Sequence, residues 1–216
     1  MINSVMKQEG EEMKNEKPEV VDEHAGIGMN GHILIRDKET GEEIVNKRNA
    51  IHYGNMANIV ANALNNQSQS YIHFMAFGNG GTSVDTAGKV IYKSPRVSES
   101  FEASADLYSR SYNKVISSAA SDPTTDKIEV VAGSSFTDLK ITCTLGYAEP
   151  SDQDLFDSST TNEGDYVFDE LALYSYPTDG TSITTSKMLT HVVFHPVQKS
   201  QNRIIEVIYT VRIQLS

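Results

Sequence analysis

The sequence is short of several things at once, and each shortage closes off a class of protein. It has a single cysteine, Cys143, in 216 residues, so no internal disulfide can form and no cystine framework can carry the fold. Cys143 sits in an alternating apolar and polar stretch, which makes it a buried small hydrophobe rather than a nucleophile. Tryptophan is absent altogether, which weighs against a sugar-binding surface. No run approaches the ~18 apolar residues of a membrane span. The opening stretch, MINSVMKQEGEEMKNEKPEVVDEH, also lacks the apolar core of a signal peptide. The expectation is therefore a chain made and kept in the cytosol, with no membrane partner.

Basic residues are outnumbered, 18 against 29 acidic, giving a formal charge of -11. Such a field repels phosphate backbones, and no Lys/Arg stripe interleaved with aromatics occurs, so direct nucleic-acid recognition is not expected.

Chemical signatures are equally scarce. There is no HExxH and no CxxC. His191 and His195, placed on one strand at ~3.3 Å per residue, would stand about 13 Å apart, too far for one metal. Asp152, Asp154 and Asp157 begin like a calcium loop. However, Phe156 occupies a position that needs an oxygen ligand, and Asp157 one that needs glycine. An irregular calcium site and a plain solvated loop both stay open there. Gly133-Ser134-Ser135-Phe136 lacks the second glycine of a nucleophile elbow. Asp169 and Glu170 are adjacent on a strand, so period-2 geometry should send them to opposite faces, which is wrong for shared acid-base work. The reading is a non-enzyme with no cofactor and no metal.

Phe77-Gly78-Asn79-Gly80-Gly81 follows an apolar stretch, where phosphates are often cradled. A dinucleotide fingerprint starting at Gly78 needs glycine at 83, where Ser83 stands. A P-loop ending at Gly88-Lys89 also needs glycine at 83, and Ser or Thr where Val90 stands. The glycines then read as a source of positive φ for a tight bend after a core strand.

What is present reads mainly as β-structure. Residues 1–28 form a charged arm with few large apolar side chains, ending in Ala25-Gly26-Ile27-Gly28. Burial cannot offset its ordering entropy, so it should order only on a partner; a solvated tail or a short helix is the alternative. His32–Arg36 and Glu43–Lys47 flank a polar turn as a hairpin. Met56, Ile59, Val60, Ala63 and Leu64 share one face of a short amphipathic helix from about Asn55 to Leu64. Further strands are expected at 71–77, 99–103, 107–116, 128–131, 139–145, 167–174, 188–195 and 203–215, with long loops at 82–123 and 149–165. The last strand places Ile205, Val207, Tyr209, Val211, Ile213 and Leu215 on one face, a pattern for the middle of an antiparallel sheet. The expected fold is an antiparallel β-sandwich over residues 29–216, with one helix at an edge or end and an N-terminal arm.

The order Gly31-His32-Ile33-Leu34-Ile35-Arg36-Asp37, Thr40-Gly41-Glu42, Asn49-Ala50-Ile51, helix, Ala76-Phe77-Gly78-Asn79-Gly80 and Arg96 resembles structural proteins of tailed-bacteriophage virions. Leu189–Phe194 and Glu206–Val211 look like the paired terminal strands of such proteins. The resemblance covers roughly residues 31–96 and 188–215; the arm and the acidic loop have no counterpart in it. It implies a virion subunit made in a host cytoplasm, acting through protein–protein contact as a neck, tail or baseplate adaptor. A head decoration protein is the alternative within the class. Its partners would be other virion proteins, in a homo-oligomer or ring. The residues expected to touch a partner are Met6, Met13, Val20 and Val21 of the arm, with Gly78, Asn79, Gly80 and Arg96. Outside the class, the rival is a carbohydrate- or receptor-binding β-sandwich using tyrosines such as Tyr108, Tyr112, Tyr147, Tyr166, Tyr174 and Tyr176 as platforms.

Overall fold

The computed structural model describes residues 26–67, 70–150 and 166–215. Among the described residues, twelve strands and one α-helix run in the order β1 Ile27–Asp37, β2 Glu43–Arg48, β3 Ala50–Ile51, α1 Tyr53–Leu64, β4 Ile72–Gly78, β5 Thr82–Val84, β6 Val90–Tyr92, β7 Arg110–Val115, β8 Lys127–Ala132, β9 Phe136–Leu145, β10 Tyr166–Ser175, β11 Thr190–Lys199 and β12 Ile205–Leu215. Two five-stranded sheets, ordered β2-β1-β12-β9-β8 and β3-β11-β10-β4-β7, pack face to face, and β5-β6 forms a small separate ribbon. Every strand pairing among the described residues is antiparallel. The sandwich expected from the sequence is the fold observed.

The long terminal strand does take a central place, between β1 and β9. Its inward side chains Ile205, Val207, Tyr209 and Val211 are buried against Ile33 and Ile35 of β1, Ile141 and Cys143 of β9, and Phe77, Phe168 and Leu171 of the facing sheet. Removing such a contiguous apolar surface from water is the main favourable term in the fold.

The second sheet is covered on both faces. β4 and β10 are almost wholly buried, and on their outer side Phe74, Ala76, Ala172 and Tyr174 form a second cluster with Ala105 and Leu107. Strands buried on both faces lose the alternation that marks a half-exposed strand. The expected strand at 99–103 does not form. That segment is an irregular cover over the second sheet, held by Asn55, whose Nδ2 donates to the carbonyls of Glu102 and Met188 at 2.9 Å. Only Arg110–Val115 of the expected 107–116 strand pairs, along the edge of β4.

The helix begins two residues earlier than its apolar pattern indicates. His52 caps it, with Nδ1 accepting the Asn55 amide at 3.3 Å. Histidine is not a typical cap, so the start carried no sequence signal. The arm likewise ends sooner than expected: Ile27 and Gly28 belong to β1, opposite Leu215 and Gln214.

Candidate functional site

The glycine-rich turn has a function inside the molecule. None of Gly78, Gly80 and Gly81 has positive φ; that conformation falls to Gly41, Gly88 and Gly180. The expected reason for these glycines is therefore wrong, and the actual one is close approach. A Cβ on Gly78 would lie 2.5 Å from the Ser109 carbonyl oxygen and 2.7 Å from Glu170 Oε1, and one on Gly80 would lie 2.8 Å from the Ser109 nitrogen. The turn presses its backbone onto β10 and the 106–110 loop, leaving no room for side chains.

That approach delivers amide hydrogens to two carboxylates. Glu170 Oε1 accepts from the nitrogens of Gly80 at 3.1 Å and Ser109 at 2.8 Å, while Oε2 accepts from Tyr108 N at 3.0 Å and faces His191 Nε2 at 2.9 Å. Asp169 accepts from Gly81 N and Thr82 N, both at 2.8 Å, and from the Thr82 hydroxyl. Successive amides in a turn make an anion-binding concavity. Here the anions are the protein's own carboxylates.

The two carboxylates were expected on opposite faces. They converge because the β10–β11 register shifts between Phe168 and Glu170, and such a bulge re-aims a side chain. Pro196 lies in the shifted part of β11 and has no amide to give to the ladder.

The Glu170 and His191 side chains have no exposed surface. Burial acts most strongly on Glu170 and pushes its carboxyl pKa up. The His191 ring and the Ser109 and Tyr108 amides outweigh it, so the group sits below the usual glutamate value. His191 in turn accepts the Arg96 amide on Nδ1 at 2.8 Å, and Arg96 lies over the Tyr108 ring at 5.3 Å. His195, on the same strand, instead meets the Tyr92 hydroxyl at 3.1 Å. A carboxylate enclosed by donors and cut off from solvent is a tie between chain segments, with no free lone pair aimed at a substrate.

The residues expected to meet a partner therefore divide. Gly78 is buried and Gly80 half-buried in this tie, while Asn79 and Arg96 are exposed. Met6, Met13, Val20 and Val21 lie outside the described residues, as does the acidic run 151–165 with its calcium question. Among the described residues, no group of three His, Cys, Asp or Glu side chains could hold a metal ion. Cys143 is fully buried, and that burial pushes its thiol pKa far up. Of the tyrosines considered as platforms, Tyr166 and Tyr174 are core residues, while Tyr147 and Tyr108 keep 48% and 37% of their surface. No helix among the described residues is long and apolar enough to cross a membrane.

An open apolar cleft of about 570 Å³ lies at the opposite kind of place. Its floor is the inner face of the first sheet, at Met29 of β1, Leu139 of β9, and Val211 and Ile213 of β12; Ile59, Val60 and Ala63 of α1 form a wall, and Leu64 and Tyr71 lie at the rim. β1 and β12 are each 11 residues long, while edge strand β3 of the facing sheet has two. The apolar face thus outruns the sheet that covers it. No protein-family model matches the chain, and neither a curated protein nor a solved structure aligns with it.

Proposed function

We propose that this chain is a non-enzymatic structural subunit working by protein–protein contact. On the resemblance of residues 31–96 and 188–215, we place it in tailed-phage virions as a neck, tail or baseplate adaptor. One observation carries the reading: the two convergent carboxylates, Asp169 and Glu170, are sealed inside, while backbone edges and apolar surface lie open. Glu170 and Asp169 are consumed by the glycine turn. By contrast, edge strand β8 exposes Val130 at 70% and Val131 at 48%, and the β5-β6 ribbon exposes Val84, Ile91 and Tyr92. Free strand edges pair with other chains through backbone hydrogen bonds, and neighbouring side chains set the choice of partner. The arm, with Met6 and Met13, supplies a further contact to neighbouring subunits in a homo-oligomer or ring.

The test is an antibody raised against the recombinant chain, applied to purified virions of the phage that encodes it and imaged by electron microscopy. Label confined to the neck, tail or baseplate is the expected result. Label spread over the capsid faces would make the chain a head decoration protein. Its absence from purified particles, together with binding on a glycan array, would overturn the reading in favour of a carbohydrate-binding module.

A further inference from the structure

We infer that the free edge of β8 pairs with the same edge of a second copy of this chain, antiparallel and across a two-fold axis at Val130, so that two first sheets join into one. This deepens the assembly role proposed above and rests on that reading, because it names the partner of one exposed edge.

β8 ends the first sheet, with β9 as its neighbour. In an antiparallel ladder, successive residues alternate between bonding to the neighbour and pointing their backbone groups away from it. The Gly133 nitrogen donates to the Phe136 carbonyl at 2.8 Å, which sets the phase. Lys127, Glu129 and Val131 therefore bond to Thr142, Lys140 and Asp138 of β9, while Ile128, Val130 and Ala132 turn their N–H and C=O groups outward. The Thr144 amide agrees with this phase, reaching Asp126 Oδ1 on the β8 side at 2.7 Å. Among the described residues, no hydrogen bond reaches the outward groups. The same three residues stand opposite Ile141, Leu139 and Thr137, so their side chains lie on the inner face of the sheet. Val130 nevertheless keeps 70% of its surface exposed.

The other edges are guarded or short. β2 carries Glu43, Lys47 and Arg48. β7 carries Arg110 and Lys114, and Lys114 is drawn inward to Asp126 at 3.1 Å. β3 has two residues, and β5 and β6 have three each. Charges on an edge discourage a further strand, and β8 has none from Val130 to Ala132.

The sequence of β8 favours itself as the mate. With Val130 opposite Val130 of the second copy, Ile128 meets Ala132 on the inner face, and Glu129 meets Val131 on the outer one. No like charges stand opposed. Moving the axis to Glu129 would set two carboxylates directly against each other, which destabilises a pair of strands. The formal charge of -11 is not concentrated here: Glu129 is held by Lys127 at 3.0 Å and Asp138 by Arg212 at 2.8 Å. A two-fold contact also needs only one patch, present on every copy.

The test is sedimentation velocity of the full chain and of single variants, with disulfide cross-linking beside it. The full chain should self-associate. Val130→Lys places a charge at the axis, and Val130→Pro removes an outward N–H without touching the β9 ladder; each should weaken association by about tenfold or more. Cys143 is buried, so an introduced cysteine reacts alone. Val130→Cys should give a covalent dimer on oxidation, because the Cα atoms of such a bonded pair lie ~5.5 Å apart, within disulfide range. Glu129→Cys, at about 7–8 Å on the diagonal, and Ile128→Cys, at roughly 13 Å, should cross-link several-fold less. A chain that stays monomeric at every concentration would overturn the pairing, as would association unaltered by Val130→Lys or equal cross-linking at all these positions. Failure here is separable from failure of the virion reading. A monomeric chain whose antibody still labels the tail defeats the pairing alone, whereas a dimer broken by Val130→Lys upholds it even for a chain absent from particles.

Discussion

At the scale of single residues, the turn at 78–82 makes the sharpest claims. Gly78→Ala introduces a methyl group against a backbone oxygen that cannot swing aside. Overpacking of this kind costs roughly 1–3 kcal/mol, and a fall in the denaturant midpoint without change of slope should report it. Glu170→Ala removes the acceptor shared by Gly80, Tyr108, Ser109 and His191. Each buried donor left unpaired costs about 1–3 kcal/mol, so this variant should lose most of the protein's stability, whereas Glu170→Gln keeps one acceptor oxygen and should lose less. Equal losses for the two variants would mean that packing, not hydrogen bonding, holds the turn.

Protonation acts on the same residues. Burial holds His52 below its ordinary 6.5, so between that pH and its folded value the unfolded chain binds the extra proton and stability declines as pH falls. Glu170, held below 4.5, adds a second decline once pH drops through that value toward its folded one. Asp37 is lowered from 3.8 to about 2, first by the Thr40 amide and then by Arg203, so its contribution is complete above 3.8 and is lost down to about 2. Unfolding midpoints measured from pH 8 to 2 should therefore fall from about pH 6.5 downward. A flat profile between pH 6.5 and 5 would remove His52 from the account.

At the scale of elements, α1 divides into a packed and an unpacked part. Met56 is 6% exposed and Leu64 85%. Met56→Ala should cost roughly 2–5 kcal/mol, because it leaves a cavity in the main core. Leu64→Ala should change stability by no more than about 0.5 kcal/mol, as a surface substitution does.

The elements also show what the residues alone could tell. The hairpin β1–β2, the apolar stripe of α1 and the alternation of β9 and β12 were legible because apolar and polar residues are segregated by face, which writes a period into the sequence. The β5-β6 ribbon was missed because its strands are three residues long and largely exposed. The cover at 99–109 was read partly as strand because its burial comes from a second apolar cluster that no local period announces. The convergence of Asp169 and Glu170 was hidden for a different reason. Period-2 reasoning assumes an unbroken ladder, and the ladder shifts at that point. Pro196 on β11, and a glycine turn full of amides without a ligand, were the only hints.

At the scale of the whole molecule, the first sheet depends on its last strand. β12 joins β1 to β9 and β8, and few of its backbone groups could find another partner. Truncation after Asn202 should therefore abolish the cooperative unfolding transition, seen by circular dichroism and heat capacity, rather than merely lower its midpoint. A shortened chain that still melted sharply would show that β1 and β9 can close on each other.

Non-local pairing of this kind makes folding slow, on the scale of milliseconds to seconds once the chain is complete. Arg36 on β1 meets Glu206 on β12 at 2.7 Å, a partner 170 positions further along the chain. A ribosome adding ~5–20 residues per second needs roughly 10–30 s to cover that interval. For all of that time, the nascent polypeptide carries a sticky ribbon whose mate has not yet been made. Crowded polysomes would put many such ribbons side by side, so the rate of translation governs how much of the product escapes mispairing between siblings.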